Sequence, residues 1–449
     1  MTAHRRPPAS GSFDRRDFVK SSAAMVGLAA VGPRALSASA RPSERTPHRT
    51  AAPIRVGVVG CGGRGTGAAA QALRAHPDVR LVAMADAFQD RLDESLATLS
   101  SGELPADVRA RVDVPPDGRH VGFDAYRGLL PQVDVVILTT TPHFRPLHFE
   151  AAVAAGKHVF MEKPVAVDAP GVRGVLASAA EAQRRGLNVV VGLQRHYQIV
   201  YREWVERLHA GMIGDIVLGR VYWNSSGVWV RERRPEQTEM EYQMRNWYYF
   251  NWLCGDHIVE QHMHNIDVAN WVLGGTPVRA QGQGGRQGRA GPDHGQIYDH
   301  HFVEYEYADG ARVLSQCRHM PGCWNQVSEA FHGSNGSAPR PGLILSRGGH
   351  VLFEHDDESD PDPYQVEHDE LFDAVSKGEH RYADAERGAL STMTAIMGRM
   401  ATYTGQMIEW DEALASQESL SPARYDWKAD PPVLPDESGR YRVPRPGTT

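Results

Sequence analysis

Four cysteines in 449 residues, at 61, 254, 317 and 323, are too few and too scattered for a disulfide scaffold. Beyond the first forty residues, no stretch supplies the ~20 uninterrupted apolar side chains of a membrane span, so no stable membrane insertion is expected. The formal charge is −7 and no long run of Lys and Arg occurs, so nucleic acid is not an expected partner. Internal repeats and low-complexity tracts are also missing. With neither an H-E-x-x-H pattern nor a cysteine pair, the histidines at 257, 262, 264, 300 and 301 are read without a metal. His262 and His264, two apart, would splay on a helix.

What is present begins with an export signal. Arg15-Arg16-Asp17-Phe18-Val19-Lys20 precedes an apolar stretch from Ser21 to Val31 and the small-residue cleavage site Ala38-Ser39-Ala40. Residues 1–40 therefore read as a twin-arginine (Tat) leader. The expected partner is the Tat export machinery, and the expected location is periplasmic or otherwise exported. Cargo of that route folds in the reducing cytoplasm, which fits the scarcity of cysteine. The leader carries six Lys/Arg against two Asp/Glu, so the −7 of the whole chain becomes −11 without it. About 400 remaining residues exceed one ordinary domain.

Ile54 to Gly65 runs I-R-V-G-V-V-G-C-G-G-R-G, an apolar strand entering a glycine-rich turn. Gly60, Gly62 and Gly65 match G-x-G-x-x-G: the first permits a tight turn, the second lets backbone approach a pyrophosphate, and the third packs helix against strand. A small-residue helix (Gly67 to Ala75) follows, then a strand, Val79 to Ala85, ending at Asp86, whose carboxylate can bind both ribose hydroxyls. Asp86 favours NAD over NADP because a 2′-phosphate would meet a like charge, although Arg64 or a loop side chain could reverse that.

Strand and helix then alternate. Val133 to Thr139 is a continuous apolar run typical of a strand buried on both faces. Helix Leu147 to Ala155, strand His158 to Met161, helix Ala169 to Arg185 and strand Asn188 to Gly192 complete an α/β, doubly wound parallel sheet over residues 54–196, after a linker at 41–53. Ligands of such sheets sit beyond the carboxyl ends of the strands. There lie Thr139, Thr141, Pro142, His143, Glu162, Lys163, Gln194 and Arg195, which join Gly60, Gly62, Gly63, Arg64, Gly65 and Asp86 as cofactor-binding candidates.

From residue 197 the pattern becomes antiparallel: Ile216 to Trp223, Val278 to Gly282, then Phe302 to Tyr307 turning at Asp309-Gly310 into Arg312 to Cys317. Residues 197–410 are thus expected to form an α+β domain with an open, mainly antiparallel sheet, followed by a tail at 411–449. A helix from about Gly255 to Leu273 should stop at Gly274-Gly275, and helices at Val366 to Ser376 and Asp384 to Gln406 should pack back on the first domain. Arg231 to Arg245, Gly282 to Gly295 and Glu354 to Pro363 read as loops.

The glycine turn, Thr141-Pro142, the tripeptide Glu162-Lys163-Pro164 and Glu260-x-x-x-His264-x-x-Asp267 before Gly274-Gly275 together resemble the Gfo/Idh/MocA oxidoreductases. The resemblance spans about residues 54 to 410. It implies an N-terminal Rossmann domain, a C-terminal open mixed sheet, a bound NAD(P) and oxidation or reduction of a sugar or cyclitol carbinol. Lys163, Glu260 and His264 match the family's Lys, Asp and His. Glu at 260 is one methylene longer than the family's Asp, which bears on any direct substrate contact.

The residues themselves suit those roles. Oxidising a secondary alcohol needs a hydride acceptor beside the carbon and a base for the hydroxyl proton. On one continuous helix, His257, Glu260, His264, Asp267 and Trp271 would share a face. His264 is expected to move the proton, Glu260 to orient the imidazole, and Lys163 to stabilise the alkoxide or share its proton. Asp267 would bind substrate, or instead cap or bridge. Trp247 and Tyr248, in the aromatic run 247–252, could stack on a sugar beside Arg245; core or subunit-interface packing is the competing reading. The expected reaction is hydride transfer on a sugar, glycoside or cyclitol. Because an exported enzyme finds little free NAD, the cofactor should be loaded before transport and stay tightly bound. Two rivals remain: an NAD-dependent glycosidase or lyase that oxidises C3 transiently, and a non-catalytic sugar-binding protein. A homodimer or homotetramer is expected by analogy.

Overall fold

The first strand rises from Ile54 and ends in a turn that only glycine can make, and the architecture of the first domain follows from it. The computed structural model describes residues 52–448. The export leader and most of the linker lie outside these residues. Strands β1 (Ile54–Val59), β2 (Val79–Asp86), β3 (Arg119–Val121), β4 (Val135–Leu138), β5 (His158–Met161) and β6 (Val189–Val191) form one parallel sheet in the order β3-β2-β1-β4-β5-β6. Central β4 (Val-Val-Ile-Leu) and edge strand β6 (Val-Val-Val) are both buried throughout, as strands covered on both faces must be. Helices Gly63–Ala75, Arg145–Ala154 and Ala169–Arg184 carry the crossovers. Asp168 caps the last of these, its Oδ1 accepting from the Gly171 amide at 2.8 Å. The strand order reverses between β1 and β4, so the glycine turn and Thr139–Thr141 lie side by side at the switch point, where such sheets hold ligands.

The second domain is a nine-stranded sheet built from β7 (Ile216–Ser225), β8 (Arg279–Gly285), β9 (His300–Glu306), β10 (Arg312–His319), β11 (Gln326–Gly333), β12 (Gly336–Arg340), β13 (Leu343–Ser346), β14 (Val351–Glu354) and β15 (Ile408–Glu409). Its order is β14-β13-β12-β11-β7-β10-β9-β8-β15. All neighbours are antiparallel except β7 and β10, which makes the sheet mixed. Helices Met263–Leu273 and Ala385–Thr404 cover one face. Phe302, Val217, Val327 and Trp324 remain exposed elsewhere on the sheet and its loops. Helix Ala385–Thr404 also packs on helix Ala169–Arg184, and helix Pro363–Lys377 on helix Gly63–Ala75, so both domains share these two connections.

Several elements depart from the sequence reading. The segment Arg231 to Arg245 is not all loop: Glu239–Arg245 is a helix, capped by Thr238 Oγ1 on the Glu241 amide. β8 continues to Gly285, beyond the expected Gly282. The tail is not free. Its residues contribute to an aromatic core with Tyr242, Phe250 and Trp252 in which Tyr441 is buried.

The helix expected from Gly255 to Leu273 is broken into His257–Glu260 and Met263–Leu273. The cause is a side chain from the other domain. Lys163 Nζ donates to the Glu260 carbonyl at 2.6 Å, and the His264 amide, denied its helical acceptor, turns to Gln261 O at 3.4 Å. The five residues expected along one helix face therefore do not share one.

Candidate active site

Gly60 sits at φ +100°, and a Cβ there would lie 2.5 Å from the Thr140 amide nitrogen. A Cβ on Gly65 would collide with the Gly60 carbonyl, so the crossover helix packs on the turn only as glycine. Gly62 and Gly63, by contrast, have nothing within 4 Å of where a Cβ would be. They open onto a cleft of about 580 Å³ and leave backbone amides at the start of helix Gly63–Ala75 facing it, which suits a pyrophosphate.

Asp86 lines the same cleft. Its carboxylate accepts from the Cys61 amide (2.6 Å) and the Phe88 amide (2.9 Å), which braces the turn; burial raises its pKa. Arg64 donates to Glu162 (2.5 Å), Gln71 (2.8 Å) and Glu367 (3.3 Å). A guanidinium so engaged is not free for a 2′-phosphate. Gly192 makes room for Glu162: a Cβ there would stand 2.8 Å from its carboxylate.

At the other end of the cleft Lys163 Nζ reaches Glu260 Oε1 at 3.3 Å in addition to the carbonyl. His264 lines the wall beside them, its ring near-parallel to Trp223 at 6.0 Å between centroids. Burial, then Lys163 and Arg195, hold the His264 pKa well below 6.5, so the imidazole is neutral and can accept a proton. Thr141 Oγ1, Gln194 Oε1, Glu260 Oε2 and His264 Nδ1 are buried here without hydrogen-bond partners. Four such atoms on one cleft fit a polar ligand that would satisfy them.

The cleft thus brings together Gly60, Gly62, Gly63, Arg64, Gly65, Asp86, Thr139, Thr141, Pro142, Glu162, Lys163, Gln194, Trp247, Glu260 and His264. Four expected residues lie elsewhere. His143 turns towards the tail, Nε2 2.9 Å from the Tyr425 hydroxyl. Arg195 is buried in an ion pair with Glu329, whose other oxygen accepts from Tyr201 (2.9 Å). Asp267 holds His196 (2.8 Å) and Ser391 (2.7 Å), the bridging alternative. Tyr248 packs in the core against His319. Glu260 does not orient His264; the helix break turns it to Lys163 instead.

Sequence reasoning missed Arg145, which donates to Thr140 O at 2.7 Å and whose pKa burial lowers to about 10. It also missed Trp223, Trp229, Arg231, Phe88, Arg91 and Phe123, which line the same cleft. Trp223 at the end of a strand and Arg91 in the helix after Asp86 were visible as residue types, but nothing local marks them as facing the cleft. Trp427 of the tail backs Phe123 at 4.4 Å and Phe88 at 4.9 Å.

Comparison with known proteins agrees with this arrangement. Residues 54–192 match the oxidoreductase family with the NAD-binding Rossmann fold, and residues 201–338 match the GFO/IDH/MocA C-terminal domain, together more than half of the chain. The chain belongs to the Gfo/Idh/MocA oxidoreductase family. Within it, an inositol 2-dehydrogenase of Pseudomonas fluorescens is 29% identical over 263 residues, covering 58% of this chain and 66% of the relative. One from Ralstonia nicotianae is 30% identical over 264 residues, with the same coverage. The chain spans about two-thirds of the length of these relatives.

Two solved structures share the fold. They are an aldose-aldose oxidoreductase from Caulobacter crescentus complexed with glycerol (TM-score 0.59, 17% identity, 80% of this chain and 99% of that one) and a levoglucosan dehydrogenase in complex with NADH and levoglucosan (TM-score 0.58, 15% identity, 79% and 99%).

Proposed function

We propose that this chain is an NAD-dependent dehydrogenase of a secondary alcohol on a sugar, glycoside or cyclitol. The observation that carries the reading is the meeting of Lys163, Glu260 and a neutral His264 in the cleft that the glycine turn opens. The names of the inositol dehydrogenases and of the levoglucosan and aldose enzymes support the substrate class. The glycine turn, Asp86 and Thr141 would hold the nicotinamide dinucleotide, which when bound supplies the hydride acceptor.

The chain's own groups would do the rest. His264 receives the hydroxyl proton, and its depressed pKa keeps it in the accepting form. Lys163 Nζ, held between the carbonyl and carboxylate of Glu260, presents its remaining N–H to the oxygen on which negative charge builds. Arg145 and the aromatic wall of Trp223 and Trp247 keep bulk water from that oxygen.

Export through the Tat route, a periplasmic location, loading of the cofactor before transport and its tight retention are parts of the same proposal, motivated by the leader sequence. The tail packed behind Phe88 and Phe123 supports retention. A second copy would pack on the open side of the sheet, where Phe302 is exposed, giving a dimer or tetramer.

The test is to denature the purified protein, identify the released nucleotide by mass spectrometry, and screen inositols, aldoses and glycosides for keto products. Protein without nucleotide and without a keto product from any of them would reject the proposal. Trp229, 40% exposed at the mouth beside Trp247, favours a second reading in which the substrate carries an aglycone. In that reading transient C3 oxidation leads to elimination, and a nitrophenyl glycoside would be cleaved without net NADH.

A further inference from the structure

We propose that Asp256, His257 and His301 form a binding site for a divalent transition metal of the zinc class, buried behind the wall that carries Glu260. One ligand atom from each lies within 4.8 Å of the other two, and none of the three is exposed beyond 3%. Asp256 Oδ1 is 2.8 Å from His257 Nδ1 and 3.4 Å from His301 Nε2. Two imidazoles and a carboxylate are a donor set that zinc accepts, with a fourth position left for water.

One observation points to a cation, and a second shows how firmly Asp256 is held. The first is the hydrogen bonding of His301. Thr402 Oγ1 donates to the Arg399 carbonyl at 3.0 Å, so at 2.9 Å it can only accept from His301 Nδ1. His301 Nε2 is buried without a hydrogen-bond partner and faces the Asp256 carboxylate at 3.4 Å. A metal ion between them would bond to both, and the Nδ1–H···Oγ1 contact is the outer hydrogen bond that ligating histidines make.

The second is the backbone of Asp256. It has φ 71° and ψ 161°, and is the one non-glycine residue with positive φ among the described residues. That region is almost reserved for glycine, and a non-glycine residue persists there only when its surroundings over-determine it. The Tyr298 amide (2.9 Å) and Tyr403 hydroxyl (2.6 Å) both donate to Oδ2, while Oδ1 accepts from the His257 amide (2.5 Å) and faces the two imidazoles.

The sequence hid this grouping because Asp256 and His257 open a short helix while His301 lies in β9, more than forty residues on. An ion here would fasten the first turn of that helix to the sheet, and Glu260 is at its other end. The role is positional; no step of hydride transfer involves it.

The experiment uses the full chain, purified without chelator and dialysed against metal-free buffer. Elemental analysis should find about one equivalent of a zinc-class metal per chain. Exchange with Co²⁺ should give the visible bands of a four-coordinate ion. His301→Gln and Asp256→Asn should each lower the bound metal at least ~10-fold. Less than about a tenth of an equivalent in the dialysed wild type, with no Co²⁺ bands, would overturn the proposal and leave an imidazolium–carboxylate pair in its place. Should both variants fail to fold, the wild-type metal content and Co²⁺ spectrum decide alone.

Discussion

His368 is fully buried, stacked 4.2 Å from Phe160, and neither of its ring nitrogens has a hydrogen-bond partner. Burial, with Arg64 adding to it, drives its pKa well below 6.5. In the unfolded chain the same imidazole titrates near 6.5. Below that pH the unfolded state binds a proton that the folded state refuses, so stability is full above pH 6.5 and falls as the pH drops further. At pH 5.5 this one residue costs about 1.4 kcal/mol, and at pH 7.5 almost nothing.

Replacing it by Phe keeps a flat ring against Phe160 and removes two unsatisfied polar atoms. His368→Phe should therefore gain about 1 kcal/mol at pH 7.5, and its advantage should widen by about a further 1.4 kcal/mol at pH 5.5. Urea unfolding followed by tryptophan fluorescence at the two pH values measures both numbers. An advantage that is the same at both pH values, or a variant less stable than wild type, would refute the reasoning. His143 and His148 are buried with pKa values lowered to about 4 and 3, so the wild type should lose stability steeply over the same interval.

Three further outcomes follow from the cleft. Lys163→Met should lower kcat by about 10²- to 10⁴-fold while nucleotide still co-purifies, checked by single-turnover kinetics and mass spectrometry. Because the His264 pKa is depressed, the acid limb of the oxidation rate should fall below pH 6; a half-maximal rate near pH 6.5 that disappears in His264→Asn would contradict the assignment. Truncation after residue 416 removes Tyr425 and Trp427 from His143, Phe88 and Phe123, and should speed nucleotide release at least ~10-fold in a stopped-flow competition assay, a loss of about 1.4 kcal/mol of retention.

How much of this was legible in the sequence depends on how local the physics is. β1 and β4 could be read because strands covered on both faces are continuous apolar runs, and the glycine turn because its steric demand falls on fixed positions. β12 (Gly-Ser-Ala-Pro-Arg) and the exposed β14 carry no such pattern, and went unread. The broken helix was out of reach for another reason: each half is a good helix former, and the interruption comes from an amine 97 residues away in sequence. The same distance problem put Arg195 and Asp267 on the wrong side of the wall. Arg195 follows a strand end where ligands gather and Asp267 lies a turn into a helix near the cleft, but each is engaged by a partner, Glu329 or His196, that only the fold brings near.

The lysine that interrupts that helix belongs to the nucleotide domain, and the carbonyl it holds belongs to the other. Rotating one domain off the other by about 3 Å would part the amine from both of its acceptors at once. Gaping and disarming are then a single motion: a molecule prised open enough to trade its dinucleotide has, by the same displacement, unmade the apparatus that would act on an alcohol.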